Sequence, residues 1–385
     1  MKKLFAISLV IIATLSFVFT YSYWSDELGS SSAIKGYDTK QSERLKTFGA
    51  NEVGNGKNNY VMVDVLYATN RNLLGNANDS CESKYGGERA PISYGVCKVS
   101  IPPGHVRGEI ESPFFYFINV NNPEKYVVMH PSELLSAELF KLIVASEAIK
   151  GARASLLFVH GFNVTFSDAA KRTAQMAFDL EFRGVPILYS WPSAGNFQAY
   201  PADEAAIEWA EGEFYKFLES HLETPGVEHL YIIAHSMGNR IVTKIVNRLA
   251  ETKPELAKKL QQVVLASPDI DQGVFRDNIA PTLAKLGAPV TIYASSKDLA
   301  LQASKKFHAY PRQGEMSSSY IAIDGIETID TSLIETDFLG HSAYSDSDVI
   351  LADIYQMFSK SERASERYRL KKMTGAGGQY WQLQP

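Results

Sequence analysis

The sequence predicts an α/β fold with a mostly parallel central sheet, helices on both of its faces and an antiparallel N-terminal part. From residue 156 onward, short apolar runs of strand length alternate with longer segments of helical pattern. Such alternation is typical of a parallel sheet covered on both faces. Before residue 120, strand-like runs follow one another directly, and the 385 residues suffice for one large domain with additions.

The first elements form the antiparallel part. We expect strands at residues 60–67, 94–101 and 114–118, followed by a helix at 136–149. The units that follow are strand 156–162, helix 166–182, strand 186–191, helix 202–222, strand 229–236, helix 238–250, strand 262–267, a helix near 273–286, strand 290–294, a last strand at 320–331 and a last helix at 347–358.

These elements place one domain at residues 60–358 and a charged C-terminal tail at 359–385. The tail contains a flexible, glycine-rich break at 375–378, after which Tyr380 and Trp381 are predicted to dock back on the domain.

The N-terminus predicts export from the cytoplasm. Lys2 and Lys3 precede the apolar residues 4–19, so residues 1–25 are predicted to be a signal peptide or an uncleaved membrane anchor. An anchor would leave the domain on the inner membrane facing the periplasm, whereas cleavage would make it periplasmic or secreted. Residues 26–59, rich in Ser, Gly, Lys and Asn, are predicted to be a flexible spacer.

Composition excludes several classes of function. The net charge is −5, with 45% hydrophobic and 21% charged residues, and no basic stripe indicates nucleic-acid binding. No glycine-rich loop indicates a nucleotide, and the eight His residues show no metal-ligand spacing. We therefore expect no cofactor and no metal.

Cys81 and Cys97 are the two cysteines of the chain. In an exported protein they are predicted either to form an intrachain disulfide or to remain two free thiols, with Cys97 buried in a strand. The sequence leaves both alternatives open because it does not supply the separation of the Cα atoms.

The most informative segment is residues 231–240. An apolar run ends in Ser236, which lies between the small residues Ala234 and Gly238 and directly before a helical segment. A tight strand-to-helix turn needs small residues at these positions, and it exposes the Ser hydroxyl as a nucleophile. An alternative interpretation is a buried strand ending in a Ser that caps a helix.

A second apolar strand, within residues 156–163, runs into His160 and Gly161. In enzymes with a nucleophile elbow, the loop after this strand supplies one oxyanion-hole N–H and the residue after the nucleophile supplies the other. The donors here would be the backbones of Phe162 and Met237. Gly161 permits a close approach of the backbone, and His160 is predicted to be structural.

The catalytic triad that the chain order predicts is Ser236, Asp298 and His341. Asp298 follows the strand at 290–294, and His341 lies in a loop before the last helix. His341 would take the Ser proton, while Asp298 would hold the imidazole in the right tautomer.

Other residues compete for these roles. Asp269 and Asp271 follow the preceding strand and are alternative acids, because some hydrolases take the acid from there. His308 lies in a basic segment that is predicted to be a solvated helix end. His235 adjoins the nucleophile, but neighbours in a tight turn point apart, so it is predicted to serve packing or a pocket.

The sequence offers several candidates for residues of a substrate pocket. Trp191 and Phe197 follow a central strand at the same edge as Ser236. They are predicted either to line a pocket for an acyl or alcohol group or to pack within their loop. His160 and His235 are further candidates for the pocket.

Together these motifs resemble a bacterial family. The matching pieces are Tyr67-Ala68-Thr69-Asn70-Arg71, residues 87–89 with 93–102, His105 with 108–111, and residues 159–163, 190–193, 234–240, 267–271 and 340–342. The chain is similar over residues 60–358 to the α/β-hydrolase family catalogued as domain of unknown function 900, which groups with esterases and lipases. The resemblance implies an α/β-hydrolase fold with Ser236 as nucleophile, and it implies no particular substrate.

The sequence thus predicts an exported serine hydrolase that acts through an acyl-enzyme on a small-molecule or lipid ester, or on a thioester. An amidase or peptidase with the same triad is one alternative. A non-catalytic interaction module of the cell envelope is the other, because fold alone does not fix function.

Overall fold

The computed structural model describes residues 51–52, 59–76, 79–113, 121–318, 320–334, 343–375 and 377–385. The strands are β1 Asn51–Glu52, β2 Val61–Leu73, β3 Tyr85–Ile101, β4 Val128–Met129, β5 Glu133–Leu135, β6 Ala154–Val159, β7 Val185–Ser190, β8 His229–His235, β9 Leu260–Ala266, β10 Val290–Ala294, β11 Glu327–Asp330, β12 Leu370–Gly375 and β13 Gly378–Leu383.

The helices cover both faces of the sheet. They are α1 Ala137–Ile149, α2 Phe166–Asp179, α3 Tyr200–Leu222, α4 Gly238–Thr252, α5 Pro254–Ala257, α6 Gln272–Val274, α7 Ala280–Leu283, α8 Leu299–His308, α9 Ala343–Asp346 and α10 Asp348–Lys360. A 3₁₀ turn at Phe197–Ala199 precedes α3, and a π turn at Phe275–Ile279 joins α6 to α7.

The strands of the described residues form one sheet in the order β12-β13-β11-β10-β9-β8-β6-β7-β2-β3-β4, with β1 on β2 and β5 on β3. All neighbours from β13 to β2 run parallel, whereas β2 and β3 are antiparallel. The predicted mostly parallel sheet with an antiparallel N-terminal part is therefore confirmed.

The sheet separates two hydrophobic cores because successive strand residues point to opposite faces. In β6, Leu157 and Val159 belong to one core, whereas Leu156 and Phe158 belong to the other. Both faces of the central strands are thus apolar, which explains the near-continuous apolar runs in the sequence.

Two predicted elements are divided or shortened in the structure, whereas β2 and β3 extend beyond the predicted 60–67 and 94–101. The helix expected near 273–286 is divided into α6, the π turn and α7, since Pro281 has no N–H for a continuous helix. The strand expected at 320–331 is reduced to β11, which begins after Gly325, a residue in the left-handed region with φ +84°. The strand predicted at 114–118 lies outside the described residues.

The segment predicted to be a charged tail contributes a hairpin to the sheet. Strands β12 and β13 pair with each other, and β13 pairs in parallel with β11, where Ile329 faces Trp381. Leu383 is fully buried, so the hairpin is anchored in the core at this residue rather than forming a fully solvated extension. The predicted docking of Trp381 occurs through this strand pairing.

Cys81 and Cys97 form a disulfide with their Cα atoms 5.9 Å apart. The bond joins the start of the segment before β3 to the buried end of that strand. Among the described residues, no helix has both the length and the apolar character to cross a membrane. Residues 1–25, where the signal peptide or anchor is predicted, and most of the predicted spacer lie outside that part of the chain.

We expect the stability of the domain to depend on pH because of His105, which follows β3. Its Nδ1 and Nε2 atoms each lie 2.9 Å from a carboxylate oxygen, of Glu111 and of Asp179 respectively. Burial lowers the pKa of His105, but the hydrogen bonds to Asp179 and Glu111 outweigh it and raise the pKa from 6.5 to about 9. The protonated imidazole therefore stabilises the fold by about 3 kcal/mol below pH 6.5, and this contribution is lost as the pH rises through about 9.

Urea unfolding of the wild type and of His105→Gln at pH 6 and pH 10 measures this effect. We expect the wild type to exceed the variant in unfolding free energy at pH 6 and the difference to shrink strongly at pH 10. A difference that stays constant between the two pH values would show that the imidazole is not the titrating group.

Candidate active site

Ser236 lies in the turn between β8 and α4 with a φ of +50°. A non-glycine residue in this region is strained by about 1–3 kcal/mol, and such residues persist where surrounding contacts hold them. Here the Ser236 N–H donates to the Ala266 carbonyl at 3.0 Å, and the Ser236 carbonyl accepts from the Asp269 N–H at 3.2 Å. The strained turn is thus held by strand β9 and the loop that follows it.

Asn239 is a further support of this turn, and its role is not predicted from the sequence. Its side-chain Nδ2 donates to the Ser236 carbonyl at 2.9 Å and to the Ala266 carbonyl at 3.0 Å. The residue is fully buried, so the amide bridges the turn to β9. The only indication of this role in the local sequence is that an Asn occurs in the first helical turn after a small-x-Ser-x-Gly sequence.

The loop after β6 lies directly against Ser236. A Cβ atom at Gly161 would lie 2.7 Å from Ser236 Cβ and 2.8 Å from His235 Nδ1. A Cβ atom at Gly238 would lie 2.4 Å from the His160 carbonyl oxygen. Both glycines are therefore required for the close contact between the loop after β6 and the turn that carries Ser236.

His160 and Trp191 form the framework of this loop. The Trp191 Nε1–H donates to the His160 carbonyl at 2.8 Å, and the two rings stack with their centroids 5.0 Å apart. Burial and the charge of Arg71 lower the pKa of His160 to about 3, so the imidazole is neutral. Trp191 has no exposed surface and His160 has 1%, so neither ring is available to a ligand as a pocket wall. Of the predicted alternatives, these contacts favour loop packing for Trp191 and a structural role for His160.

Asp298 lies at the same edge of the sheet as Ser236. In the sheet register His235 and Tyr293 both face Ala266, so the carboxyl ends of β8, β9 and β10 are aligned. Asp298 follows β10, is fully buried, and caps α8 by accepting the Leu301 N–H at 2.9 Å. Since β9 lies between them, β8 and β10 are about 10 Å apart.

His341, the predicted base, lies outside the described residues. His235 is almost fully buried beside Gly161. His308 contacts Glu204 through Nε2 at 3.0 Å and Ser304 through Nδ1, at the C-terminal end of α8. His308 is the last residue of α8, which ends in the basic segment as predicted, and its ring belongs to a polar network.

Asp269 is the centre of that network. Its Oδ1 accepts from Arg312 Nε and Ser304 Oγ, each at 2.7 Å, and its Oδ2 accepts from Arg240 Nη2 at 3.2 Å and from the Tyr200 hydroxyl. Burial raises the pKa of Asp269, but the charges of Arg240 and Arg312 outweigh it and lower the pKa to about 2.

Because of this low pKa, Asp269 stays a charged carboxylate, and it accepts from all of these donors. Asp271, the other alternative acid, caps α6 by accepting the Val274 N–H at 2.9 Å. Both alternative acids have structural partners.

Four rings form an aromatic band at the loop that follows β6: Phe162, Phe197, Tyr200 and Phe307. The ring of Phe162 lies 5.9 Å from that of Phe197 and 4.9 Å from that of Tyr200, which lies 6.0 Å from that of Phe307. Phe197 is 71% exposed and Phe307 68% exposed. The band therefore offers an accessible apolar surface that begins at one of the predicted oxyanion donors.

A cavity of about 320 Å³ lies between α3, α4 and the π turn, and Arg240, His308 and Arg312 of the Asp269 network line part of it. Its walls combine Ile207, Ile270 and Ile279 with charged side chains that are paired with one another, such as Arg240 with Glu204. Among the described residues, no group of three or more His, Cys, Asp or Glu side chains is placed to bind a metal.

The parallel sheet, the strained serine turn and the glycine loop packed against it define the protein as an α/β hydrolase. A family model described as "Alpha/beta hydrolase of unknown function (DUF900)" matches residues 95–358. The chain belongs to this family. No curated protein matches the sequence.

Solved structures resemble parts of the chain at low identity. A predicted CIB-like hydrolase from Thermoplasma acidophilum is 15% identical over 60% of this chain and 90% of its own, with a TM-score of 0.32. AbyA5 is 15% identical over 54% and 61%, with a TM-score of 0.31. Aspergillus fumigatus lipase B is 12% identical over 48% and 46%, with a TM-score of 0.29.

Proposed function

We propose that this chain is an exported serine hydrolase that cleaves carboxylic esters through an acyl-enzyme on Ser236. The observation that carries the proposal is the strained Ser236, with φ +50°, in direct contact with the Gly161 loop. Strain of this kind is concentrated at functional sites, and a glycine loop against a serine turn is the arrangement of an oxyanion hole.

In the acylation step, Ser236 Oγ forms a bond to the ester carbonyl carbon while its proton passes to His341. The carbonyl oxygen becomes an oxyanion that accepts hydrogen bonds from the Phe162 and Met237 N–H groups. The bond to the alcohol oxygen then breaks, and His341 returns the proton to the leaving alkoxide. Asp298 holds His341 in position and stabilises its cation.

In the deacylation step, a water molecule gives a proton to His341 and attacks the acyl carbon. The second oxyanion uses the same two N–H groups, and its collapse breaks the bond to Ser236 Oγ, which recovers its proton from His341. The reaction consumes one ester and one water and yields one carboxylic acid and one alcohol.

The aromatic band supports an ester with an apolar acyl or alcohol group, since its exposed rings lie next to the Phe162 donor. The N-terminal residues 1–25 support a location in the cell envelope, either anchored to the inner membrane and facing the periplasm or released after cleavage. Small-molecule and lipid esters of that compartment are the substrates that fit both features.

The proposal is tested by treating the full-length protein with a fluorophosphonate probe and locating the modified residue by peptide mass spectrometry. We expect labelling at Ser236 in the folded protein and none after heat denaturation. Hydrolysis of p-nitrophenyl acetate is then compared with that of p-nitroacetanilide, which carries the same acyl group on an amide. Faster anilide cleavage would favour the amidase alternative, and absence of labelling in the folded protein would favour the non-catalytic module.

A further inference from the structure

Arg71 is a buried arginine under the oxyanion loop, in the Tyr67–Arg71 motif to which the proposed function gives no part. It lies in β2 and is 1% exposed. A guanidinium has five N–H groups and accepts no hydrogen bond. Nε donates to Ser190 Oγ at 2.8 Å, and Nη1 donates to the carbonyls of Gly86 at 3.0 Å and Ser193 at 2.7 Å. Nη2 donates to the Val164 carbonyl at 2.7 Å and lies 3.3 Å from His160 Nε2.

These five contacts bind three segments together. Gly86 belongs to β3. Ser190 is the last residue of β7, and Ser193 lies in the loop after it. His160 and Val164 lie on either side of Gly161 and Phe162 in the loop after β6. All five acceptors are neutral. Lysine, with one ammonium group and three N–H groups, cannot contact acceptors spread over so wide an arc.

The contact with Arg71 and the contact with the Gly161 carbonyl together define the tautomer of His160. Since Arg71 can only donate, His160 Nε2 must accept, and it also accepts from the Ser190 hydroxyl at 3.0 Å. The single proton of the neutral imidazole is therefore on Nδ1, which lies 2.8 Å from the Gly161 carbonyl oxygen and donates to it.

The orientation of the Gly161 carbonyl determines that of the Phe162 N–H. In a trans peptide the C=O and N–H groups of one unit point in opposite directions. Holding the Gly161 oxygen on the His160 side therefore turns the Phe162 N–H away from it. Gly161 lies against Ser236, with its ideal Cβ position 2.7 Å from Ser236 Cβ, so a reversal of this peptide would place a carbonyl where an oxyanion is to bind.

We propose that Arg71 is a positioning residue for catalysis, which acts through the His160 tautomer to hold the Gly161–Phe162 peptide with its N–H directed at the reacting oxygen. The inference rests on the proposed function in that the oxygen is the oxyanion of the Ser236 reaction. Arg71 itself touches neither substrate nor nucleophile.

The first test compares Arg71→Lys with Arg367→Lys in the full-length protein. Arg367 is a matched control, because it is also buried and bonded, to Asp353 at 2.8 Å and Glu327 at 3.1 Å, at the β11 side of the sheet. For p-nitrophenyl acetate we expect Arg71→Lys to lower kcat about a hundredfold with KM within about twofold, as for loss of one oxyanion donor. Arg367→Lys should lower the melting temperature and leave kcat unchanged.

The second test asks whether Arg71 acts through the Phe162 N–H. The Phe162→Pro variant removes that donor, since proline has no backbone N–H. If Arg71 acts through it, Arg71→Lys adds less than about a threefold further loss of kcat in the Phe162→Pro background. Losses that multiply in the double variant would overturn the inference, because Arg71 would then act elsewhere.

The third test does not depend on activity. Selective ¹⁵N labelling of histidine reports the tautomer of His160, assigned with His160→Gln. We expect the Nδ1–H form in the wild type and a loss of that form in Arg71→Lys. An unchanged tautomer overturns the inference even if kcat falls. A wild type that neither hydrolyses the ester nor reacts with a fluorophosphonate overturns the proposed function instead, and with it the catalytic role of Arg71, while the tautomer still reports the structural link.

Discussion

Replacement of Ser236 by alanine is expected to lower kcat for p-nitrophenyl acetate by about a million-fold, the scale observed when the nucleophile of a catalytic triad is removed. The reason is the loss of the atom that forms the acyl bond, since the oxyanion donors alone leave only a small residual rate. The fold should be retained. Alanine keeps the Cβ atom, and the backbone hydrogen bonds of residue 236 to Ala266 and Asp269 do not involve the hydroxyl.

Ser267 provides a matched control for this experiment. It also follows a central strand, has a φ of +45° and is almost fully buried. Ser267→Ala should therefore reproduce any effect of deleting a hydroxyl from a strained turn while leaving kcat close to that of the wild type. Equal turnover of Ser236→Ala and the wild type would remove Ser236 from the mechanism, and equal losses in both serine variants would point to a defect of folding.

The sequence predicted the elements whose signal is local. Strand β10 was predicted with the bounds that it has, Val290–Ala294, because all of its side chains are buried and the run is apolar throughout. The hairpin of β12 and β13 was missed for the opposite reason. Lys371, Lys372 and Gln379 give both strands the composition of a solvated tail, and the pairing of β13 with β11 joins residues that are about fifty positions apart.

In the candidate site, too, the residues with a local sequence signal are predictable and those with distant partners are not. Ser236 and Gly161 were found because a tight turn and a close approach of two backbones each impose small residues nearby in the sequence. The roles of Arg71 and Asn239 were not found, since their acceptors belong to other strands and loops. An arginine that follows the apolar run Val65–Ala68 in the same strand is nevertheless a signal, because a buried charge needs a full set of partners. The placement of His341 relative to Ser236 stays a prediction.

Replacement of Asp298 by asparagine is expected to lower kcat by about ten-thousand-fold with little change in stability. Asparagine and aspartate are equally good N-caps, so the hydrogen bond from the Leu301 N–H to residue 298 persists and α8 still begins there. What is lost is the negative charge that holds His341 in the right tautomer and stabilises its cation, and loss of this charge alone has about that effect in a Ser-His-Asp triad.

Asp269→Asn is the comparison that decides between the two candidate acids. Asparagine at 269 leaves Arg240 and Arg312 without the carboxylate that both contact, and breaking a buried ion pair in this way destabilises a protein by about 3–5 kcal/mol. The folded fraction should keep its kcat, because the Asp269 N–H that supports the Ser236 carbonyl belongs to the backbone. We therefore expect one variant that is stable and inactive and one that is unstable and active, measured by urea unfolding and by turnover per folded molecule. The reverse pattern would make Asp269 the acid of the triad, with Arg240 and Arg312 serving to hold its charge, and would remove Asp298 from the triad.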